Sequence, residues 1–241
     1  MNELQTRIKK ELENEFIDKC KEKLEVEFVS DVSERAEEIL SNSQMYFYPT
    51  YDGDVNFGVF LPPMYDDDVY HILLLDNRED SREIMTAAHE LEHAILHFNI
   101  LRTVYKSNTK ELYKGFLYRY FQIFSEFSAF RKGMSQYLRR VRLNGISLKE
   151  QAIFLLEEKL RFYLKNVDTP IREDRLMQHY IFLGNIIGVL DVMDFEEITF
   201  FVEKLHNDES LAAINTTIFK YKDDLEWYEE YLNVIEDYLC T

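Results

Sequence analysis

Apolar residues recur in steps of four along the first forty positions, from Leu4 to Leu40, as they do on one face of an amphipathic helix. Steps of four drift around a helix of 3.6 residues per turn, so one straight helix is not expected. Val26 and Phe28 instead predict a short strand, and the Ser-Asp pair that follows is typical of a helix N-cap. We therefore predict an N-terminal helical region, residues 1–41, with a break in its middle.

The pattern changes between residues 42 and 77, where aromatic and branched runs are divided by Gly and Pro. Such runs predict two or three short strands of a small antiparallel sheet. The candidate strands include Asn56–Leu61 and Val69–Leu75. Asp80 with Glu83 is then typical of a capping box that opens a helix through about Ile100.

Helical periodicity dominates the remaining chain. One long helix is predicted over residues 111–143, because an Asn-Gly pair ends it. Two more helices are predicted within residues 208–239. Capping signals mark three helix starts between them, at Ser147, Thr169 and Asp194.

Composition narrows the class of protein. The chain has 241 residues, 46% of them hydrophobic and 30% charged, which is typical of a globular protein. It contains 7 Gly and 4 Pro, and this scarcity favours long helices over a turn-rich β-sandwich. The net charge of −17 argues against general nucleic-acid binding, which requires clustered Lys and Arg.

The sequence also predicts a compartment. Cys20 and Cys240 are too few for a disulfide framework in a chain of this length. The charged amino terminus lacks the apolar stretch of a signal peptide, and the longest apolar run, Ile181–Met193, is shorter than the ~20 residues that span a bilayer. We expect a cytoplasmic protein with reduced thiols and no membrane partner.

The candidate chemistry lies in the helix predicted after Asp80. His89 and His93 are four residues apart, so both imidazoles project from one face of that helix. This spacing suits two nitrogen ligands of a tetrahedral zinc. Glu90 can take a proton from zinc-bound water and pass it to a leaving amine. The alternative is a surface helix whose His residues merely lie near acids.

A catalytic zinc usually takes a third protein ligand. Glu126 is the only acidic residue within residues 113–148 and lies among aromatic residues, where a carboxylate is costly to bury without a cation. A salt bridge to Arg119 or Arg131 is the alternative for this carboxylate. His97 is the rival third ligand, but three ligands on successive turns of one helix rarely close around one ion, which favours a packing role.

Basic residues surround Glu126 in the sequence. Eight of them against this single acid give residues 112–149 a net charge of +7. The stretch is either a face that recruits a substrate or partner, or one that pairs internally with the acidic terminal helices.

Residues 70–97, YHILLLDNREDSREIMTAAHELEHAILH, resemble the core of the ImmA/IrrE-type zinc metallopeptidases. In that family a strand and a short polar linker precede a helix that reads A-H-E-L-G-H-x-L-L-H, and a Glu on the next helix completes the metal site. The resemblance implies that His89, His93 and Glu126 bind Zn²⁺ and that Glu90 is the catalytic base.

The resemblance covers roughly residues 45–135, and two positions depart from the family pattern. Glu92 stands where the family has Gly, and Phe130 follows Ala129 where the family usually has Asn or Asp. These departures keep zinc binding expected and leave open a second interpretation. In it the chain is a zincin-fold binding module, catalytically weak or inactive, that acts through protein–protein interaction.

Together these observations predict an α+β, predominantly helical fold, in which a small antiparallel sheet packs on a minimal zincin helix pair with helical extensions at both ends. The expected regions are residues 1–41, 42–145 and 146–241. The expected activity is hydrolysis of peptide bonds in a protein or peptide substrate of the regulatory kind that family members cleave. A helical interaction protein without metal is the third interpretation. Candidates for an oxyanion donor, by residue type only, are Tyr113, Tyr118, Tyr120 and His179.

Overall fold

A computed structural model describes residues 2–40, 57–63, 69–76, 80–102, 116–145, 147–169, 171–194, 196–205 and 216. The chain divides into two units, residues 1–115 and 116–241. The first contains α1 (Glu3–Cys20), β1 (Leu24–Val29), α2 (Val32–Leu40), β2 (Gly58–Leu61), β3 (Tyr70–Leu75) and α3 (Asp80–Leu96), which a π-helical segment, His97–Arg102, continues. The second contains α4 (Phe116–Leu143), α5 (Leu148–Asn166), α6 (Arg172–Leu190) and α7 (Ile198–Val202).

The predicted fold class, α+β and predominantly helical, is confirmed. The sheet has the strand order β1-β3-β2 and is mixed rather than purely antiparallel, since β1 runs parallel to β3 while β2 runs antiparallel to it. The parallel strand is the one predicted around Val26, inside the N-terminal helical region. A parallel pair needs a long crossover, and the connection from β1 to β3 includes α2 and β2.

The first helix forms where the four-residue apolar pattern predicts it. Asn2 caps its start, and a reciprocal pair of hydrogen bonds with Gln5 completes a capping box. Lys21 ends it with a φ of 59°, in the left-handed region, which turns the chain toward β1. The buried stripe of α1 consists of Ile8, Leu12, Phe16 and Cys20.

Helices cover both faces of the sheet in the first unit. The stripe of α1 packs with α3 against one face, where the buried partners include Val26, Tyr70 and Leu91. On the other face α2 packs through Ala36 against Leu73 and its neighbours. Alternate side chains of β3 therefore enter different apolar clusters, as a strand covered on both faces requires.

A buried polar contact joins α1 to α3. The Gln5 side-chain amide donates to Asp76 Oδ1 at 2.6 Å and to Glu83 Oε1 at 3.4 Å. Glu83 is only 3% exposed and lies on α3. Because a buried carboxylate requires donors, this amide fixes α1 against α3 as well as against the end of β3.

In the second unit, α6 is buried all round from His179 to Val189, as expected of a helical stretch that is apolar on nearly every side. Two glycines let it approach α4. A Cβ on Gly184 would lie 2.4 Å from the Phe127 carbonyl oxygen, and one on Gly188 would lie 2.6 Å from the Arg131 carbonyl oxygen. These positions are thus glycine because backbone occupies the space that a side chain would need.

Gly184→Ala is expected to destabilise the second unit by about 1–3 kcal/mol, although alanine is the better helix former, because α4 has to move away. Urea unfolding followed by circular dichroism measures the loss. Glu157→Ala, on the exposed side of α5, is the control and should change little. An unchanged or increased stability of the Gly184 variant would show that the two helices are not packed as described.

The remaining helix ends follow their capping signals in part. Gly145, with a φ of 73°, ends the turn after α4, and the Ser147 hydroxyl caps α5 by accepting a hydrogen bond from the Glu150 backbone. Thr169 accepts from the Ile171 backbone, so α6 begins only at Arg172. The helix predicted at Asp194 is reduced to the five residues of α7.

The two helices predicted between residues 208 and 239 lie outside the described residues. None of the helices in the part of the chain that the structure describes combines the length and the apolar character that a bilayer crossing requires.

Candidate metal centre

Two imidazoles meet on one face of α3. The Nε2 atoms of His89 and His93 are 3.0 Å apart, and the ring planes are nearly perpendicular. Tetrahedral zinc ligands at about 2.0–2.1 Å from the metal are themselves roughly 3.3 Å apart. One turn of helix thus places both ring nitrogens at the separation that one zinc ion requires.

The protonation state of His93 favours metal binding. Burial lowers the pKa of His93 from 6.5 to about 4. A zinc ligand must be a neutral imidazole. Near neutral pH this side chain therefore needs to lose no proton before it binds a metal.

The lowered pKa predicts a pH dependence for the metal-free protein. Unfolded His93 titrates near 6.5 and folded His93 near 4, so its contribution to stability is complete above pH 6.5 and is lost as pH falls toward 4. The difference corresponds to at most about 3 kcal/mol, and to less here because solvent reaches part of the ring. Unfolding in chelator from pH 4 to pH 7 measures it.

The comparison needs two variants. His93→Gln removes this titration, so the wild type should gain stability over the variant as pH rises from 4 to 6.5. Glu157→Gln, on the exposed side of α5, is the control and should leave the wild-type pH slope in place. A pH slope in His93→Gln equal to that of the wild type would contradict the assignment.

Glu90 follows His89 and is buried, with 7% of its surface exposed. It lies where β2 approaches α3, since its Cγ is 3.2 Å from the position that a Cβ on Gly58 would occupy. A carboxylate that is shielded from bulk solvent is suited to hold and transfer a proton. The sequence-predicted base is thus a buried residue of α3, next to His89 in the chain.

Glu126 lies on α4, in the second unit, and its neighbours Phe124, Ser125 and Phe127 are buried. Burial raises the pKa of Glu126 from 4.5 to about 7. The surroundings thus disfavour the ionised carboxylate, and a bound cation would reverse this preference. Two imidazoles and one carboxylate form a donor set that catalytic zinc accepts, so the residue types fit the metal.

One of the two alternative partners of Glu126, Arg131, pairs with an acid of the second unit. Arg131 forms a bidentate ion pair with Asp191, in which Nε donates to Oδ2 at 2.6 Å and Nη2 donates to Oδ1 at 2.9 Å. Lys149 pairs with Glu197. Two of the eight basic residues around Glu126 therefore pair with acids of the C-terminal helices, as the internal-pairing interpretation of the basic stretch expects. Arg119 lies where side chains are outside the described part of the chain.

His97, the rival third ligand, is a packing residue. It is 2% exposed, at the start of the π-helical segment, and its ring lies edge-on to Phe60 and Tyr70 with both centroids at 5.7 Å. The change from α to π geometry at this residue turns it away from a straight continuation of the His89–His93 row.

Glu92 stands inside α3 where the resembled family has Gly. Among the described residues Lys21 is the one non-glycine with a positive φ, so the backbone at Glu92 adopts an ordinary helical conformation. The helix therefore does not require glycine at this position.

Of the four candidates for an oxyanion donor, the structure describes the side chain of His179. His179 is fully buried, and its Nδ1 lies 3.2 Å from the Tyr163 hydroxyl, so this imidazole belongs to the core of the second unit. Tyr113 and the side chains of Tyr118 and Tyr120 are outside the described residues.

A second group of metal-binding residue types was not predicted. Ligand atoms of Glu25, Glu27 and His71 lie within 4.8 Å of one another, because β1 and β3 pair in register at Glu25 and His71. Here the carboxylates already have cationic partners: Lys23 pairs with Glu25 at 2.5 Å, and Arg35 binds Glu27 through two nitrogens. Lysine and arginine side chains of the protein therefore already balance the charge of these two carboxylates. A site that binds a metal ion would instead leave its carboxylates for the ion to neutralise.

Comparison of the chain with models of known protein families, with curated proteins and with solved structures finds no match.

Proposed function

We propose that this protein is a zinc-dependent metallopeptidase that hydrolyses peptide bonds in a protein substrate. The observation that carries the proposal is the pair of His89 and His93 Nε2 atoms, 3.0 Å apart on one helix face, with the buried Glu90 beside it. The resemblance of residues 70–97 to the ImmA/IrrE-type metallopeptidases supports the same reaction. A cytoplasmic location is part of the proposal, supported by the free, buried thiol of Cys20.

The proposed ligands are His89, His93 and Glu126. The lowered pKa of His93 keeps it neutral, and the raised pKa of Glu126 marks a carboxylate that a cation would stabilise. His97 stays in the apolar cluster with Phe60. A zinc ion held by these three residues would still have room for water or substrate.

When bound, zinc supplies Lewis-acid chemistry, polarising the scissile carbonyl and lowering the pKa of water. Glu90 takes the proton of the attacking water and delivers it to the departing amine nitrogen, so that the carboxylate is regenerated at the end of each cycle. Its burial keeps bulk water from competing for that proton.

Cleavage of a peptide library prepared from a proteome digest tests the proposal. Wild-type protein stripped with chelator should cleave nothing, and re-addition of stoichiometric zinc should restore cuts that mass spectrometry identifies as new amino termini. Cleavage that persists without metal would contradict the mechanism. Bound zinc without any cleavage would favour the binding module over the enzyme.

A further inference from the structure

Strand β2 comes unusually close to the metal-site helix at one residue, Gly58. A Cβ built at this position would lie 2.6 Å from Thr86 Cγ2, 3.2 Å from Glu90 Cγ and 3.2 Å from Leu74 Cδ2. The first distance is shorter than any carbon–carbon contact that proteins tolerate. Gly58 is paired with Leu74 in the sheet, so the strand cannot shift freely to make room.

The requirement for glycine here is one of space. Across the described residues the glycine with a positive φ is Gly145, so Gly58 does not need the conformational freedom of glycine. Instead its missing side chain leaves the gap that the Thr86 methyl group and the Glu90 side chain fill. Thr86 is β-branched and one turn before Glu90 on α3, so it has few rotamers with which to retreat.

We propose that Gly58 is a positioning residue for Glu90: the bare backbone of β2 provides the space in which the Glu90 side chain is held. The inference rests on the proposed function, because it assigns Gly58 a part in the proton transfer that Glu90 performs. Glu90 is itself buried, so a methyl group on Gly58 moves its side chain rather than merely crowding solvent. A 3.2 Å contact obliges the Glu90 Cγ to give by a few tenths of an ångström. Misplacement of a catalytic group by about 1 Å costs on the order of 100-fold in rate, so this smaller shift should cost about ten-fold.

The test combines kinetics with a rescue. In zinc-loaded protein, using a peptide that the wild type cleaves, Gly58→Ala should lower kcat by about ten-fold or more while KM changes less than about three-fold. Thr86→Ser removes the methyl group nearest the clash, so Gly58→Ala/Thr86→Ser should regain most of the lost kcat. Thr86→Ser alone and Val59→Ala are controls that should stay near the wild type.

A second readout does not depend on activity. In metal-free Thr86→Ser protein, where the closest contact is gone, Gly58→Ala should still lower Tm by roughly 1–3 °C, and by clearly less when Glu90→Ala has also removed the Glu90 Cγ. Equal Tm losses in the two backgrounds, or an unchanged kcat in Gly58→Ala, would overturn the inference. If the wild type shows no zinc-dependent cleavage, the proposed function fails, while the Tm comparison still decides whether Gly58 sets the place of Glu90.

Discussion

Glu90→Gln is expected to keep its zinc and to lose peptide cleavage by about 100- to 10,000-fold, because the amide cannot accept the proton of the attacking water. The side chain keeps its size, and Glu90 is not among the proposed ligands, so metal content and fold should be preserved. Metal analysis of the purified variant, together with single-turnover cleavage of a peptide that the wild type cuts, measures both halves of the prediction.

Glu92→Gln is the matched control. It changes the same functional group two residues along α3, where side chains point to a different side of the helix. We expect it to retain activity within a factor of about three. Full activity in Glu90→Gln would exclude Glu90 as the base, and loss of zinc in that variant would make it a ligand instead.

Glu126→Gln is expected to weaken zinc binding by at least about 100-fold while making the metal-free protein more stable. The two effects have opposite signs because the same carboxylate is proposed to bind the metal and is costly to ionise without it. Competition with a zinc-binding dye measures the affinity, and urea unfolding in chelator measures the stability.

The pH dependence of the stability gained in Glu126→Gln shows whether the Glu126 carboxylate causes it. The pKa of Glu126 is about 7 in the folded protein against an ordinary value of 4.5, so the favourable contribution of its protonated form is complete below pH 4.5 and is lost as pH rises through about 7. Gln has no such loss, so the advantage of the variant should grow across that window, by about 1–3 kcal/mol. Glu157→Gln, exposed on α5, should show neither effect.

A structural ion pair would give the opposite outcome. If Glu126 stabilised the fold by pairing with Arg119, the Gln variant would be less stable above pH 5, and its zinc affinity would equal that of the wild type. That combination would show that Glu126 is not a ligand, and the third zinc ligand would have to be another residue.

Local periodicity predicted several elements of the first unit, including the helix face that carries the two His residues. The four-residue apolar steps gave α1, the spacing of His89 and His93 gave their shared helix face, and the alternation at Val26 and Phe28 gave β1. Each of these signals acts between residues close in sequence, where backbone geometry alone relates spacing to direction.

Features that depend on distant residues were not predictable in the same way. The sequence could not indicate that β1 would pair with β3 in parallel, because strand order is set by tertiary packing. Nor could it show that Gly58 would lie against Glu90, 32 positions later, since a glycine beside a strand has several ordinary explanations. The turn of His97 into an aromatic cluster likewise follows from Phe60 and Tyr70 on other elements.

The zinc content of the purified protein tests the central claim most directly. After dialysis against metal-free buffer, inductively coupled plasma mass spectrometry should find about one zinc per chain in the wild type and in His71→Ala, but almost none in His89→Ala. Zinc near zero in the wild type, or equal zinc in wild type and His89→Ala, would contradict the metal centre on which the proposed reaction depends.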